Sequence, residues 1–332
     1  MAVNRAWTLA SYPSGRVKED NFKLVESLAP SPKEGEVLVK NLWLSLDPYM
    51  RGRISQQKSY AKGVEPGEVM QGQAAGEVIG SKYPGLKVGD KVLTQLGWQL
   101  YGCVKGEEAT RVDALSAPLS CYLGVLGMPG MTAYFGLNEI GKPKQGETVV
   151  VSAASGAVGS VVGQLARIAG CRAVGIAGGR QKCDYVVNEL GFDACVDYKA
   201  GNLHRDLKEA CPRGIDVDFE NVGGEILDTV LGMMNPFSRI VVCGLISDYN
   251  AIEPAPVKKF RSILVNRVKV QGMIVFDWKD RYPEALQVLA GHVAAGRIQY
   301  RESVLEGIES APRGLIGLLA GENFGKQLVK LT

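Results

Sequence analysis

Between the apolar run Thr148-Val149-Val150-Val151-Ser152 and a helix-like run, the chain reads Ala153-Ala154-Ser155-Gly156-Ala157-Val158-Gly159. Small residues there let the backbone approach a pyrophosphate, and a helix start offers N–H groups and the positive end of its dipole. The pattern is AxxGxxG rather than GxGxxG, with Ala153 standing where the first Gly would be. A tight strand–helix turn without ligand would use the same small residues for packing. The position of the turn, at the head of a long βαβ series, favours a dinucleotide. The backbone of Gly156, Ala157, Val158 and Gly159 is therefore the expected pyrophosphate contact.

The next apolar run ends in Ala177-Gly178-Gly179-Arg180-Gln181-Lys182. Selection of NAD places Asp or Glu about 20 residues beyond the glycine turn, on the ribose 2′-hydroxyl. No acid stands there. Arg180 and Lys182 do, and two cations suit a 2′-phosphate, so the expected cofactor is NADP(H). The plainer alternative is a solvated helix start. A metal site is not expected: the seven cysteines contain no Cys-x-x-Cys pair, and the two histidines, His204 and His292, are far apart.

The elements that must position these residues follow from the rhythm of the chain. From Thr148 apolar strand-like runs alternate with helical ones: RAVGIA, ACVDY, IDVDFENVG, RIVVCGLI and VKVQGMIVF read as strands, with helices between most of them. That is a parallel sheet with helices on both faces, a doubly wound α/β fold. The first third instead has short β-type runs such as 35–46, 76–80 and 87–96, punctuated by Gly, Pro and Asp. Those suggest an antiparallel, barrel-like unit. The tail from about Tyr300 returns to short elements and is expected to pair back onto the first unit. At 332 residues two domains are expected.

A formal charge of +3 is too small and dispersed for nucleic-acid binding, and no run of 18 apolar residues can span a membrane. The opening residues lack an apolar leader core, and the odd cysteine count argues against a secreted disulfide framework. A reducing cytoplasm is the expected location.

Five phrases carry a resemblance: Leu46-Asp47-Pro48-Tyr49-Met50-Arg51, LGVLGMPGMTAYFGL at 123–137, SAASGAVGS, FENVGG followed by VVCGLISDYN, and GENFGKQLVKL at the end. Together the chain resembles zinc-free medium-chain dehydrogenases/reductases of the leukotriene 12-hydroxydehydrogenase/prostaglandin reductase type, the group of 2-alkenal and curcumin reductases. The resemblance implies a GroES-like catalytic domain from residues 1–124 and 302–332, enclosing a Rossmann NADP-binding domain at 125–301. It also implies a homodimer. Where the zinc-binding branch has Gly-His-Glu, this chain has Gly72-Gln73-Ala74-Ala75-Gly76-Glu77.

Carried over by motif, the resemblance puts Lys182 and Tyr198 on the adenosine phosphate and Asn221 in the Asn-Val-Gly-Gly phrase. Cys243, Gly244, Leu245, Ile246, Ser247 and Tyr249, with Met273, Ile274 and Val275, line the nicotinamide half, and Asn323 closes over it. For the apolar members core packing is the alternative; for Asn221 and Asn323, each beside Gly, it is turn chemistry. Tyr49 and Tyr249 are the implied substrate contacts. Hydride addition to the β carbon of an enone leaves charge on the carbonyl oxygen, and a neutral phenol, pKa about 10, is a suitable donor to it. Arg51 could hold an anionic substrate group or sit in a salt bridge. One departure stands out: some animal relatives carry a Tyr in the segment RSILVNRVKV at 261–270, and this chain has none.

The implied activity is NADPH-dependent reduction of the C=C bond of small α,β-unsaturated ketones and aldehydes. A zinc-free quinone reductase, an NADP-dependent secondary alcohol dehydrogenase and a non-enzymatic NADPH-binding protein are the rival readings.

Overall fold

A computed structural model describes residues 2–331. The chain divides between Gly124 and Val125 and again between Arg301 and Glu302 into two compact units.

The inner unit, Val125–Arg301, is built on six parallel strands. In sheet order they are Ala194–Asp197, Arg172–Ala177, Thr148–Ser152, Ile215–Glu220, Met234–Val242 and Lys269–Gly272. Three strands lie to one side in reverse sequence order and three to the other in forward order. This is the doubly wound arrangement, whose order reverses beside the Thr148–Ser152 strand. Thr148–Ser152 is buried throughout, as a central parallel strand covered on both faces must be. The helices Gly159–Ile168, Arg180–Asn188, Leu203–Ala210 and Gly224–Leu231 connect successive strands.

The last strand is shorter than VKVQGMIVF suggests. It ends at Gly272, opposite Val242, where its partner strand also ends. With nothing left to pair with, the chain turns into the 3-10 segment Val275–Arg281.

The outer unit joins a two-stranded ribbon, Val3–Leu9 with Phe22–Leu28, to a larger sheet centred on Glu36–Ser45. That ten-residue strand is long enough to have two partners along one edge. Its first half pairs with Tyr101–Lys105 and its end with the tail strand Lys326–Lys330. Pairing is antiparallel except between Glu302–Glu306 and Lys326–Lys330, which are parallel. The helix Ala311–Leu319 between those two supplies the crossover that a parallel pair needs. Leu9, Phe22, Leu44, Met50, Trp98, Leu315 and Val329 bury the core of this unit.

Packing of the first helix on the inner sheet depends on one glycine. A Cβ on Gly163 would lie 1.8 Å from the ring of the buried Phe192. Gly163→Ala should therefore destabilise the unit by at least the ~1–3 kcal/mol typical of overpacking. Chemical denaturation should show the loss, and Phe192→Leu in the same chain should recover part of it.

Candidate functional site

The glycine turn carries its own strain. Ala153 has φ +50°, a left-handed conformation that costs a non-glycine residue about 1–2 kcal/mol. The carbonyl oxygen of Ala153 then lies so close to the following turn that a Cβ on Gly159 would be 2.4 Å from it, and one on Gly156 3.1 Å. Glycine is thus sterically required at 159, and at 156 a Cβ would crowd the Ala153 carbonyl. Ser160 N–H and Val162 N–H donate to the carbonyls of Gly156 and Val158. The N–H groups of Ala157, Val158 and Gly159 are those the turn can offer to an anion at the head of the helix.

The loops after the central strands are tied to each other at their C-terminal ends, where a doubly wound sheet holds ligands. Buried Glu220 accepts hydrogen bonds from Ser152 Oγ at 2.6 Å and from the N–H groups of Val222 and Gly223. Asn221 donates through Nδ2 to Ser152 O at 2.8 Å, so its side chain braces the residue just before the glycine turn. The backbone of the next loop hangs on this one: Cys243 and Gly244 donate to Glu220 O, Ile246 to Asn221 O and Ser247 to Val222 O. Ser247 Oγ and the Leu245 side chain fill space that a Cβ on Gly223 would need. Burial, with Glu220 close by, pushes the Cys243 thiol up to about 12, so it stays a neutral packing group. Tyr249 folds back over this loop, its hydroxyl 3.5 Å from Leu245 N. Met273 N–H donates to Val242 O, Ile274 is extended, and Val275 opens the short 3-10 segment.

At the other end of the turn, Asp197 closes the Gly178–Gly179 corner. Its Oδ1 accepts from Gly179 N at 2.7 Å and from Lys199 N at 3.0 Å. A Cβ on Gly178 would be within 3.0 Å of both the Tyr198 ring and Lys199 Cε, so only glycine lets that side-chain pair close over the corner. Burial and the nearby Lys199 charge hold the Lys182 ammonium below the ordinary lysine range. Two cations therefore meet at this corner, but they are Lys182 and Lys199. The Arg180 side chain is 92% exposed and 3.6 Å from Asp184. Lys199 was not singled out from the sequence because it follows the third strand of the series, not the second. The available signal was its place after the neighbouring parallel strand, whose end lies beside Ala177.

In the outer unit, Tyr49 precedes a single helical turn, Met50–Arg53. Asp47 pairs with Lys326 Nζ at 2.7 Å, both fully buried, and accepts a bond from Ser45 Oγ. Lys326 also donates to Leu46 O at 2.7 Å. Burial, then the Asp47 charge, holds the Tyr49 hydroxyl far above the ordinary phenol range. Arg51 is buried and donates to Gly15 O at 2.9 Å. Arg53, which drew no attention in the sequence, is the cation against Tyr49: its guanidinium lies 5.3 Å from the Tyr49 ring and 4.7 Å from that of Tyr60. Asn323 Nδ2 donates to Gly325 O, and Gly325 has φ +76°, so Asn323 shapes the turn into the tail strand. Among the described residues, no three His, Cys, Asp or Glu side chains gather into a metal-binding group.

Comparison with known proteins adds independent findings. Residues 5–112 match a family model described as the N-terminal domain of oxidoreductase, and residues 157–291 one described as zinc-binding dehydrogenase. The chain is 45% identical to the NADPH-dependent curcumin reductase of Escherichia coli, over 99% of this chain and 97% of that protein. It is 41% identical to the NADP(+)-dependent 2-alkenal reductase of Nicotiana tabacum, over 99% and 98%. The crystal structure of CurA from Vibrio vulnificus in complex with NADPH superposes with a TM-score of 0.95 at 45% identity, covering 99% of each chain.

The buried ion pair gives a direct test. Asp47→Asn leaves the Lys326 charge buried without its counter-ion and should cost about 3–5 kcal/mol in denaturant unfolding. Asp47→Asn combined with Lys326→Met removes both charges and should recover most of that loss.

Proposed function

We propose that this chain, which belongs to the medium-chain dehydrogenase/reductase family of the curcumin and 2-alkenal reductases, reduces the C=C bond of small α,β-unsaturated ketones and aldehydes with NADPH. Full-length similarity to reductases of that chemistry is the observation that carries the reading.

The residues present fit the dinucleotide. A Cβ on Gly159 would run into the Ala153 carbonyl that shapes the turn, one on Gly156 would crowd it, and one on Gly178 would meet Tyr198 and Lys199, so side-chain-free backbone faces the expected phosphates. We assign the pyrophosphate to the Gly156–Gly159 backbone and the 2′-phosphate to Lys182, Tyr198 and Lys199, with Arg180 a peripheral cation. Asn221, Cys243–Ser247 and Met273–Val275 are assigned to the nicotinamide half, and Asn323 to the tail contact that the resemblance implies. When bound, NADPH supplies the hydride that the β carbon receives.

The task left to the protein is the charge that develops on the carbonyl oxygen. Donors that never ionise meet it best, and we assign the hydroxyls of Tyr49 and Tyr249. Burial beside Asp47 keeps Tyr49 protonated across the working pH range. A delocalised enolate is adequately held by neutral donors, whereas an alkoxide calls for a metal or a proton relay. The proton for the α carbon is taken from water. We also read the enzyme as metal-independent, cytoplasmic and homodimeric. Its cysteines, all free thiols, suit a reducing compartment. The dimer rests on the resemblance.

Product analysis after incubation with NADPH and an enone is the central test: a saturated ketone is expected, and an allylic alcohol as main product would refute the reading. Faster turnover of quinones than of enones would favour the quinone reductase instead. Tyr249→Phe should lower turnover by up to about a hundredfold if it supplies one good oxyanion contact. Lys182→Ala should raise KM for NADPH by roughly ten- to a hundredfold, the worth of one charge-assisted contact, and leave KM for NADH nearly unchanged. Exhaustive chelation should leave the rate intact.

A further inference from the structure

Arg53 holds a place in the outer unit that the chemistry above does not use. It stands four residues after Tyr49, at the end of the single helical turn, where its N–H and that of Gly52 donate to Tyr49 O at 3.3 and 2.9 Å. Residues four apart on a helix share a face, so the Arg53 side chain returns over the Tyr49 ring, its guanidinium 5.3 Å from the ring centroid. Arg51, two residues earlier, faces elsewhere and reaches Gly15 O. The chain then loops out and comes back onto Arg53. Val64 N–H donates to Arg53 O at 2.7 Å, and a Cβ on Gly63 would be 2.9 Å from the same oxygen. The loop so closed, residues 54–63, sets the ring of Tyr60 over the guanidinium at 4.7 Å.

Arg53 is only 6% exposed although it carries a full charge, whereas Tyr60 is 56% exposed. A guanidinium drawn out of water is stabilised by the negative faces of aromatic rings, and more strongly as it is desolvated. Two tyrosine rings therefore hold this charge, with Tyr60 the outer of the two. The same attraction acts back on Tyr49. A ring whose face meets a cation gives up electron density, and its hydroxyl becomes a stronger hydrogen-bond donor. Burial and the Asp47 charge hold this phenol up, and the Arg53 charge works in the opposite sense. The ring is also fixed in place, because Tyr49 packs against the core of the unit and carries the Arg53 side chain as well.

We propose that Arg53 is a positioning residue for the reduction: laid over Tyr49 and covered by Tyr60, its guanidinium fixes the phenol ring and strengthens the hydroxyl as donor to the oxygen on which charge develops. Arg53 acts through Tyr49 and not on the substrate itself. This role rests on the assignment of Tyr49 under Proposed function. A contact that gains strength only as the oxygen becomes negative belongs to the transition state, so its loss falls on kcat and spares KM.

The experiment is a double-mutant cycle on the full-length protein with NADPH and an enone, reading kcat and KM separately. Arg53→Met keeps the length of the side chain and removes its charge. It should lower kcat about tenfold and leave KM for the enone within about twofold. Arg53→Lys, which keeps a cation, should restore most of that loss. Tyr60→Ala, at an exposed position, should show a smaller fall in kcat with the denaturation midpoint unchanged. In a Tyr49→Phe background Arg53→Met should bring no further fall, because no hydroxyl is left to act through. Should Arg53→Met fail to fold, Tyr60→Ala takes its place in the cycle with Tyr49→Phe, and the same non-additivity decides. Wild-type kcat in Arg53→Met, or losses that simply multiply with that of Tyr49→Phe, would overturn the role of Arg53 and leave the Tyr49 assignment standing. Wild-type kcat in Tyr49→Phe alone would instead overturn the Tyr49 assignment, and the role of Arg53 with it.

Discussion

The buried Lys326–Asp47 ion pair is the constraint on which the outer unit depends. It joins a residue near the end of the chain to a turn some 280 positions earlier, at 2.7 Å and away from water. A lone charge there would be intolerable, so each group is retained only with the other. The pair does two jobs. It closes the tail strand onto the long strand Glu36–Ser45, and Lys326 reaches past Asp47 to the Leu46 carbonyl, so the backbone leading into Tyr49 is held from both sides. Burial, and after it the nearby Asp47 charge, holds the Tyr49 phenol above its ordinary range.

The inner unit solves a similar problem with a single carboxylate. Glu220 Oε1 collects three donors from two segments and so fixes the Asn-Val-Gly-Gly turn against the end of the Thr148–Ser152 strand. The loop 243–249 inherits its position from that turn through backbone bonds. Asp218, on the same strand, is also fully buried, yet neither of its oxygens has a hydrogen-bond partner, and burial with Glu220 nearby drives its pKa well up. Such a group is carried as the neutral acid, because its charged form would cost far more than the strand can repay. The strand thus holds one carboxyl that organises its surroundings and one that is merely tolerated.

Strain in the glycine turn has the same logic. Ala153 is left-handed and keeps that conformation because its neighbours are pinned: Ala154 N–H bonds Ile176 O, and Ser152 is braced by Asn221. Gly159 then remains as the position where no side chain fits, and Gly156 as one where a Cβ would be tight. A motif with Ala for the first Gly still makes the turn, because surrounding hydrogen bonds hold the conformation that glycine would have reached freely.

Most of the inner fold was legible in the sequence, because a buried parallel strand and an amphipathic connecting helix each write a local pattern of apolar residues. The strand Arg172–Ala177 coincides with the run RAVGIA, and the reversal of strand order follows from the βαβ rhythm. The choice of a 2′-phosphate was legible too, since it depends on which charges stand near one turn. What the sequence could not assign was which cations stand at the corner. Arg180, adjacent to the turn in the chain, lies out in solvent, while Lys199, seventeen residues beyond Lys182, comes to the corner because two parallel strands end side by side. Within one short helical turn, position decides that Arg53 is aimed at the Tyr49 ring while Arg51 is aimed at the Gly15 carbonyl. The pairing of Lys326 with Asp47 lies further still from the reach of sequence, because nothing in a linear pattern says which two distant side chains will share one dry space. Local periodicity, steric demand for glycine and net charge are properties of short segments, and the sequence determined those; partnership between buried polar groups is a property of packed space, and only the tertiary structure decided it.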